Sequence, residues 1–509
     1  MRKTSPLSAP LMAGTLLAGT LLASGCTVGP NYAGPPKVAS AAAARGAFVR
    51  ADDPAISTAP GLARWWETLN DPTLNALVDD ALKNSPSIDL AQARIAEARG
   101  KLDQGKANLL PSVSASGSYL HAILPNSASS LLGSSSDDSS GSGSGSSGSD
   151  RGAVDFYNVG ATASWEPDLF GGKRRGVEAA RATVEERYAD LADAQVSLTA
   201  QVAQTYVNLR DVENRAKLNR DSARLQAQSL DLTKQRYAAG TASKLDVERL
   251  QVQLENTNAQ IVPLDAQIAM YKDALAVLTG RVPGALDAAL ATEAPVPLPP
   301  ASVPIGDPAA LIAHRPDIRS AERALAASTA QIGVNKAKAL PGVSFYGILG
   351  MGGTKPGDVV DPDNLVTLLA PMINWSFLDF GRNAAAIRQS EAQRDQATAQ
   401  YRQKVLEALQ DAEDSLARFG STRRQLAGLV RSEQSADNAA SLNGQRYRAG
   451  TSTLIDQLDI ERQQLSAQIS VAQTRAQLTI DYIAVQKALG LGWSDPAQTQ
   501  AKPQAAPAQ

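Results

Sequence analysis

The chain is built twice from one unit. Gln235 to Thr241 reads Gln-Arg-Tyr-Ala-Ala-Gly-Thr, and 210 residues later Gln445 to Thr451 reads Gln-Arg-Tyr-Arg-Ala-Gly-Thr. The same offset relates Trp165 to Trp375, Phe170-Gly171 to Phe380-Gly381, Asp246 to Asp456 and Gly280 to Gly490. Two long homologous halves must fold as two copies of one arrangement, which excludes most single-domain folds at once. Earlier in each half the offset is 230, pairing Pro86 with Pro316 and Pro111 with Pro341, so the first half carries 20 extra residues between Pro111 and Trp165. That interval holds Ser134 to Asp150, nearly pure Ser, Gly and Asp, a loop by composition. Insertions cost least at exposed loop tips, so it marks a surface turn.

Each half also contains a run too long for a globule. Lys173 to Tyr237 is 65 residues without proline, about 97 Å as helix. Within it Val184, Tyr188, Leu191, Gln195, Leu198, Val202, Thr205, Leu209, Val212 and Ala216 step by alternating four and three, a heptad seam implying left-handed supercoiling. Its counterpart, 382–447, carries a weaker seam through Tyr401, Val405, Ala408, Ala412, Ser415 and Phe419. Aromatics are only 5% of the chain, which argues against large aromatic-rich cores and for long helices running side by side. In the first half, shorter helical segments at Pro72 to Asn108 and Ser243 to Thr279 together match the long one. Placed end to end beside it, and repeated in the second half, they give four helical columns per chain. Pro263 interrupts the second of them, where a kink is expected.

Around the Ser/Gly loop the period changes to two. Val113, Ala115, Gly117 and Tyr119 alternate with Ser112, Ser114, Ser116 and Ser118; Tyr157, Val159, Ala161, Ala163 and Trp165 alternate with Asn158, Gly160, Thr162, Ser164 and Glu166. These are strands with one apolar and one polar face. The second half repeats the hairpin at Pro341 to Met351 and Leu365 to Phe377, with Pro371 arguing for an edge or interfacial position. Strands of about ten residues can cross a bilayer when tilted. Four strands cannot close a barrel, and an open sheet would leave unpaired edges in lipid. Oligomerisation is therefore required: a trimer supplies twelve strands, whereas an eight-stranded dimer would fill its own interior.

The N-terminus reads as an export signal. Met1, Arg2 and Lys3 precede an apolar run from Leu11 to Ala23, then Ser24-Gly25-Cys26. The run is too short to span a membrane, and no later stretch reaches 18 apolar residues. Cys26 is the only cysteine, so it has no disulfide partner in the chain; its position at the end of the signal points to lipidation. The resulting plan is a signal peptide over 1–25, a lipidated extended segment over 26–71, a first repeat over 72–280 (hairpin 111–168, helices 173–237 and 243–279), a linker over 281–307, a second repeat over 308–490 (hairpin 341–378, helices 382–447 and 453–489), and a disordered tail over 491–509.

These residues resemble the TolC-like outer-membrane efflux family, in particular its lipoprotein branch of the NodT type. The resemblance rests on Cys26-Thr27-Val28-Gly29-Pro30-Asn31-Tyr32, on Trp65-Trp66 with Asp71-Pro72-Leu74, on His314-Arg315-Pro316-Asp317 with Ala321-Glu322 and Ile332-Gly333, and on both Arg-Tyr-X-X-Gly-Thr turns. It covers nearly everything from the signal to about residue 493. It implies an α+β membrane protein: a homotrimer whose 12-stranded β-barrel continues into a coiled-coil periplasmic tunnel of twelve columns. It also implies an outer-membrane location, a lipid on Cys26 and no other cofactor. The implied partners are a periplasmic adaptor and an inner-membrane pump of the resistance-nodulation-division class. The function implied is a passive duct of a tripartite efflux pump.

Gly240 and Gly450 suit left-handed helix ends, so the turns are C-caps by chemistry. The resemblance adds adaptor docking at Tyr237, Gly240 and Thr241 and at Tyr447, Gly450 and Thr451. Asp456 and Asp459, three apart on one helical face, answer to Asp246 and Arg249 in the first half. The resemblance implies that these acids, with Ile455 and Tyr447, line a periplasmic gate where three symmetric copies attract cations. Ser452 stands where some relatives carry a basic residue that closes the gate, leaving Arg249 or Arg446 for that role. Against an enzyme stand only two histidines, one cysteine and no phosphate loop or metal-ligand cluster. A trimeric adhesin would not need a hairpin in each half; a protein or oligosaccharide secretion duct is the nearer alternative. Five methionines and two histidines make no metal-rich lining, which favours organic cargo over copper or silver. The net charge of −2 gives no reason to invoke nucleic acid.

Overall fold

A computed structural model describes residues 27–124 and 152–493. The signal peptide, Cys26, the Ser134–Asp150 loop and the tail from 494 lie outside the described residues. In chain order the elements are α1 (Ser40–Arg45), β1 (Ile56–Ser57), a 3-10 turn (Trp65–Leu69), α2 (Pro72–Asn84), α3 (Pro86–Ala107), β2 (Ser112–Leu124), β3 (Gly152–Trp165), α4 (Gly172–Ala238), α5 (Lys244–Leu278), β4 (Val303–Pro304), α6 (Pro308–His314), α7 (Pro316–Lys338), β5 (Gly342–Gly353), β6 (Leu365–Asn374), α8 (Arg382–Arg448) and α9 (Leu454–Ala488). No described helix is long and apolar enough to cross a membrane.

The helical run before each hairpin is two helices rather than one. Ser85 leaves the helical region at ψ 128° and Arg315 does so at ψ 124°. Each precedes a proline, whose ring disfavours helical geometry in the residue before it. The breaks are duplicated because the prolines are. Pro263, by contrast, lies within α5, which runs unbroken over 35 residues. The 26–71 segment is not simply extended, since it holds α1, β1 and the 3-10 turn. Nor is 281–307 a bare linker: β4 pairs in parallel with β1, Ile56 opposite Val303 and Ser57 opposite Pro304.

Two compact units emerge. One, over 27–33, 99–124, 152–182 and 326–395, is built on a four-stranded antiparallel sheet of order β2-β3-β5-β6. Register places Val113, Ala163, Gly347 and Leu369 in one row and Ser114, Thr162, Ile348 and Leu368 in the next, on the opposite face. On the polar side Ser112 and Ser164 hydroxyls meet at 2.7 Å, and those of Ser114 and Thr162 at 2.8 Å. Strands β2 and β6 are the sheet's two edges, and Pro371 sits on β6.

The other unit, over 34–98, 183–325 and 396–493, holds the main core. Trp65 and Trp66 are buried edge to face at 5.8 Å, with Tyr482 beside Trp65 at 6.0 Å. Asp71 caps α2 through the amides of Thr73 and Leu74 and accepts the Tyr206 hydroxyl at 2.6 Å. Burial first, then that carboxylate, pushes the Tyr206 phenol up to about 12. The α4 seam differs from the single stripe its heptads suggested. Val184, Leu198, Val202, Leu209, Val212 and Ala216 are buried, but Tyr188 is 40% exposed. From Val196 to Ala216, Ala200, Ala203, Tyr206, Val207 and Arg210 are buried as well, so much more than one stripe of the helix is covered. In α8 the weaker stripe, Tyr401 to Phe419, is wholly buried.

Candidate functional site

The two turns that join the long helices to their partners have the same construction. Gly240 and Gly450 take φ of 71° and 74°, which glycine adopts at no steric cost. The Thr241 amide reaches back to the Arg236 carbonyl at 2.8 Å and the Gly240 amide to that of Tyr237 at 3.0 Å. Thr451 with Arg446, and Gly450 with Tyr447, repeat this at 2.9 and 3.0 Å. The six-to-one bond is a Schellman-type closure that satisfies the last carbonyls of the helix. Thr241 and Thr451 also donate their hydroxyls to the same arginine carbonyls, both at 3.1 Å. Tyr237 is exposed, Tyr447 half-buried, and Gly240, Thr241, Gly450 and Thr451 are exposed.

Asp456 has a structural task in one chain. It is the third residue of α9 and completes a capping box: Thr453 donates its hydroxyl to the Asp456 carboxylate at 2.7 Å and its amide at 3.2 Å, and accepts the Asp456 amide at 3.2 Å. Asp246 does the same with Ser243 at the head of α5. The hydroxyl and then the amide of Thr453 hold the Asp456 carboxyl below the usual carboxylate range. Asp459, one turn on, accepts from Arg462 at 2.6 Å and Gln463 at 2.7 Å. Ile455, just before Asp456, is 54% exposed. Ser452 donates to Asn443 at 2.7 Å, and Arg446 lies 3.5 Å from the Thr451 carbonyl while its charge helps lower the Asp456 carboxyl.

A difference between the halves escaped the sequence reading, although aligning them at 210 residues exposes it. Between α8 and α9, Thr422 donates to Asp481 at 2.6 Å, Asn443 to Gln457 at 2.8 Å, and Gln464 to Asp437 at 2.9 Å. The positions 210 residues earlier hold Val212 and Tyr271, Thr233 and Val247, and Leu254 and Ala227. The second helical hairpin thus carries one buried and two half-buried hydrogen bonds at positions where the first has mostly apolar side chains, while the first is crossed elsewhere by an ion pair between Arg220 and Asp265. Arg315 was likewise not singled out by itself. It ties four segments together, donating to Asp317 at 2.9 Å, Asp411 at 3.0 Å, the Ala488 carbonyl at 2.8 Å and the Ala408 carbonyl at 3.2 Å.

Residues 77–281 and 308–491 match the family model described as outer membrane efflux protein. Among curated relatives, the pyoverdine export outer membrane protein OpmQ of Pseudomonas aeruginosa is 31% identical over 452 residues, covering 88% of this chain and 91% of the relative. Nodulation protein T of Rhizobium leguminosarum bv. trifolii is 28% identical over 482 residues, covering 92% and 95%. Among solved structures, the outer-membrane channel OprN superposes with a TM-score of 0.80 at 32% identity, over 92% of this chain and all of that one. The open state of the Neisseria gonorrhoeae MtrE outer membrane channel gives 0.76 at 26% identity, over 92% and 98%.

Proposed function

The chain belongs to the outer membrane efflux protein family and has the fold of the TolC-like outer-membrane channels, and on that premise we propose that it is the passive outer-membrane duct of a tripartite efflux pump. The observation that carries this reading is the sheet. It has an apolar face, a face rich in serine and threonine at β2 and β3, and two open edges, β2 and β6. In lipid those edges must be paired, and three copies joined β6 to β2 close a barrel of twelve strands. The apolar row through Val113, Ala163 and Leu369 then faces lipid, and the hydroxyl row through Ser114 and Thr162 faces water. The long helices supply a periplasmic tunnel of twelve columns, and lipid on Cys26 assists anchoring.

A periplasmic adaptor docks at the turns around Thr241 and Thr451, and an inner-membrane pump of the resistance-nodulation-division class feeds the duct. Three copies of Asp456 and Asp459, with Ile455 and Tyr447, form the gate. The cargo is organic and is selected by the pump. Relatives whose names refer to export of pyoverdine and efflux of toluene fit that class.

The purified, lipidated protein in planar bilayers tests the proposal. It should migrate as a trimer, conduct ions, and restore drug tolerance to cells lacking their own outer-membrane channels when co-expressed with an adaptor and pump. A monomer that never conducts would overturn it.

A further inference from the structure

The turn from β3 into α4 has a counterpart in the turn from β6 into α8, with the capping aspartate one position later in the second copy. In each an aspartate caps the helix: Asp168 accepts the amides of Lys173 and Arg174 at 2.9 and 2.8 Å, and Asp379 those of Gly381 and Asn383 at 2.9 and 2.7 Å. Each has a glycine at positive φ, Gly171 at 76° and Gly381 at 88°. The turn is thus complete without further support. Yet the first copy carries Arg175 where the second has Ala385.

Arg175 is 4% exposed and is spent largely on the N-terminal segment. It donates to the Val28 carbonyl at 3.3 Å, the Gly29 carbonyl at 3.4 Å and Asn31 Oδ1 at 2.5 Å, besides Glu178 at 2.7 Å. The Val28 amide donates to the Phe170 carbonyl at 3.0 Å. Backbones touch here: a Cβ on Gly29, at φ 99°, would lie 2.5 Å from the Gly333 Cα, and one on Gly333 would lie 2.8 Å from the Val28 carbonyl. A Cβ on Gly171 would collide with Thr27, whereas Gly381 has nothing within 4 Å.

We propose that Phe170, Gly171, Arg175 and Gly333 form a seat for the mature N-terminus, residues 27–31, with Arg175 as its positioning residue. Gly171 and Arg175 flank the start of the first repeat's α4 and Gly333 lies on the second repeat's α7, so the seated segment staples the two repeats beside the sheet. The seat also fixes where the lipid-bearing end leaves the protein, at the foot of β3; this half of the proposal rests on the reading that Cys26 is acylated. An anchor on a free tether could enter the bilayer anywhere within reach, and seating removes that freedom.

Hydrogen exchange on the assembled trimer, with intact mass of the N-terminal peptide, tests this. Arg175→Met keeps the apolar stem and removes the donors; exchange over 27–33 should rise about tenfold or more, and the temperature at which trimers dissociate in detergent should fall. Arg181→Met, an exposed change further along the same helix and outside the seat, should leave both unchanged. Should Arg175→Met fail to assemble, Asn31→Ala carries the test, because Asn31 is exposed and outside every helix and strand; it should raise exchange roughly threefold. Exchange within twofold of the parent in an assembled variant of either kind would overturn the seat. An unacylated Cys26 beside a protected 27–33 segment would overturn the lipid reading and leave the seat standing.

Discussion

At the scale of single residues, the acids proposed for the gate carry two duties that experiment can separate. Replacing Asp456 and Asp459 together by alanine should raise single-channel conductance and weaken cation selectivity in trimers that still assemble; unchanged currents would remove them from the gate. Asp456→Asn should alter selectivity similarly, because it removes the charge and keeps an acceptor for Thr453. Since the folded carboxyl lies below its ordinary value, its capping contribution is present above the unfolded value of about 3.9 and is lost as pH falls through the lower folded one. Asp193 behaves in the opposite sense. Burial first, and then the charge of Asp317, raise its carboxyl, so the folded state is penalised above that raised value and relieved as pH falls through it. Asp193→Asn should therefore raise the thermal midpoint more at pH 8 than at pH 5, as calorimetry can read. The motif residues were legible in the sequence as types and positions. That Asp456 caps a helix was legible too, since Thr453 stands three residues before it, the spacing of a capping box.

Helices and their contacts raise different questions. The long helices were visible because a run without proline, closed by a glycine, is a local property. What the hairpins hold between their helices was not, because a heptad stripe does not say whether its partner offers oil or hydrogen bonds. Asp481 is 4% exposed and accepts from Thr422 and Gln477. Asp481→Ala should destabilise the chain by about 1–3 kcal/mol, because the buried Thr422 hydroxyl loses its acceptor; denaturant titration of the trimer would show it. At the tips, a photo-reactive residue at Thr241 or Thr451 should capture the adaptor, and one at Lys173 should not. Capture from Lys173 alone would contradict the proposed orientation.

For the whole molecule, the two faces of the sheet should tolerate charge very differently. Leu369 shares its row with Val113 and Ala163, and Leu368 shares the next with Ser114 and Thr162. If the barrel closes as proposed, Leu369→Lys should cost about 2–4 kcal/mol of barrel stability near the bilayer midplane and Leu368→Lys far less; refolding into vesicles measures both, and equal costs would reverse the assignment of faces. By itself the sequence determined the duplication, the strand and helix periods, the breaks a proline must make and the glycine-closed turns. Each depends on residues within a turn or two of one another, or on direct comparison of the halves. Only the tertiary structure decided the pairings across long separations: β1 with β4, Arg315 with the carbonyl of Ala488, Arg175 with the chain that follows Cys26. The physical reason is the duplication itself. Two copies of one pattern offer every segment two nearly equivalent places to pack, and the choice between them is made by side chains that meet only after the chain has folded.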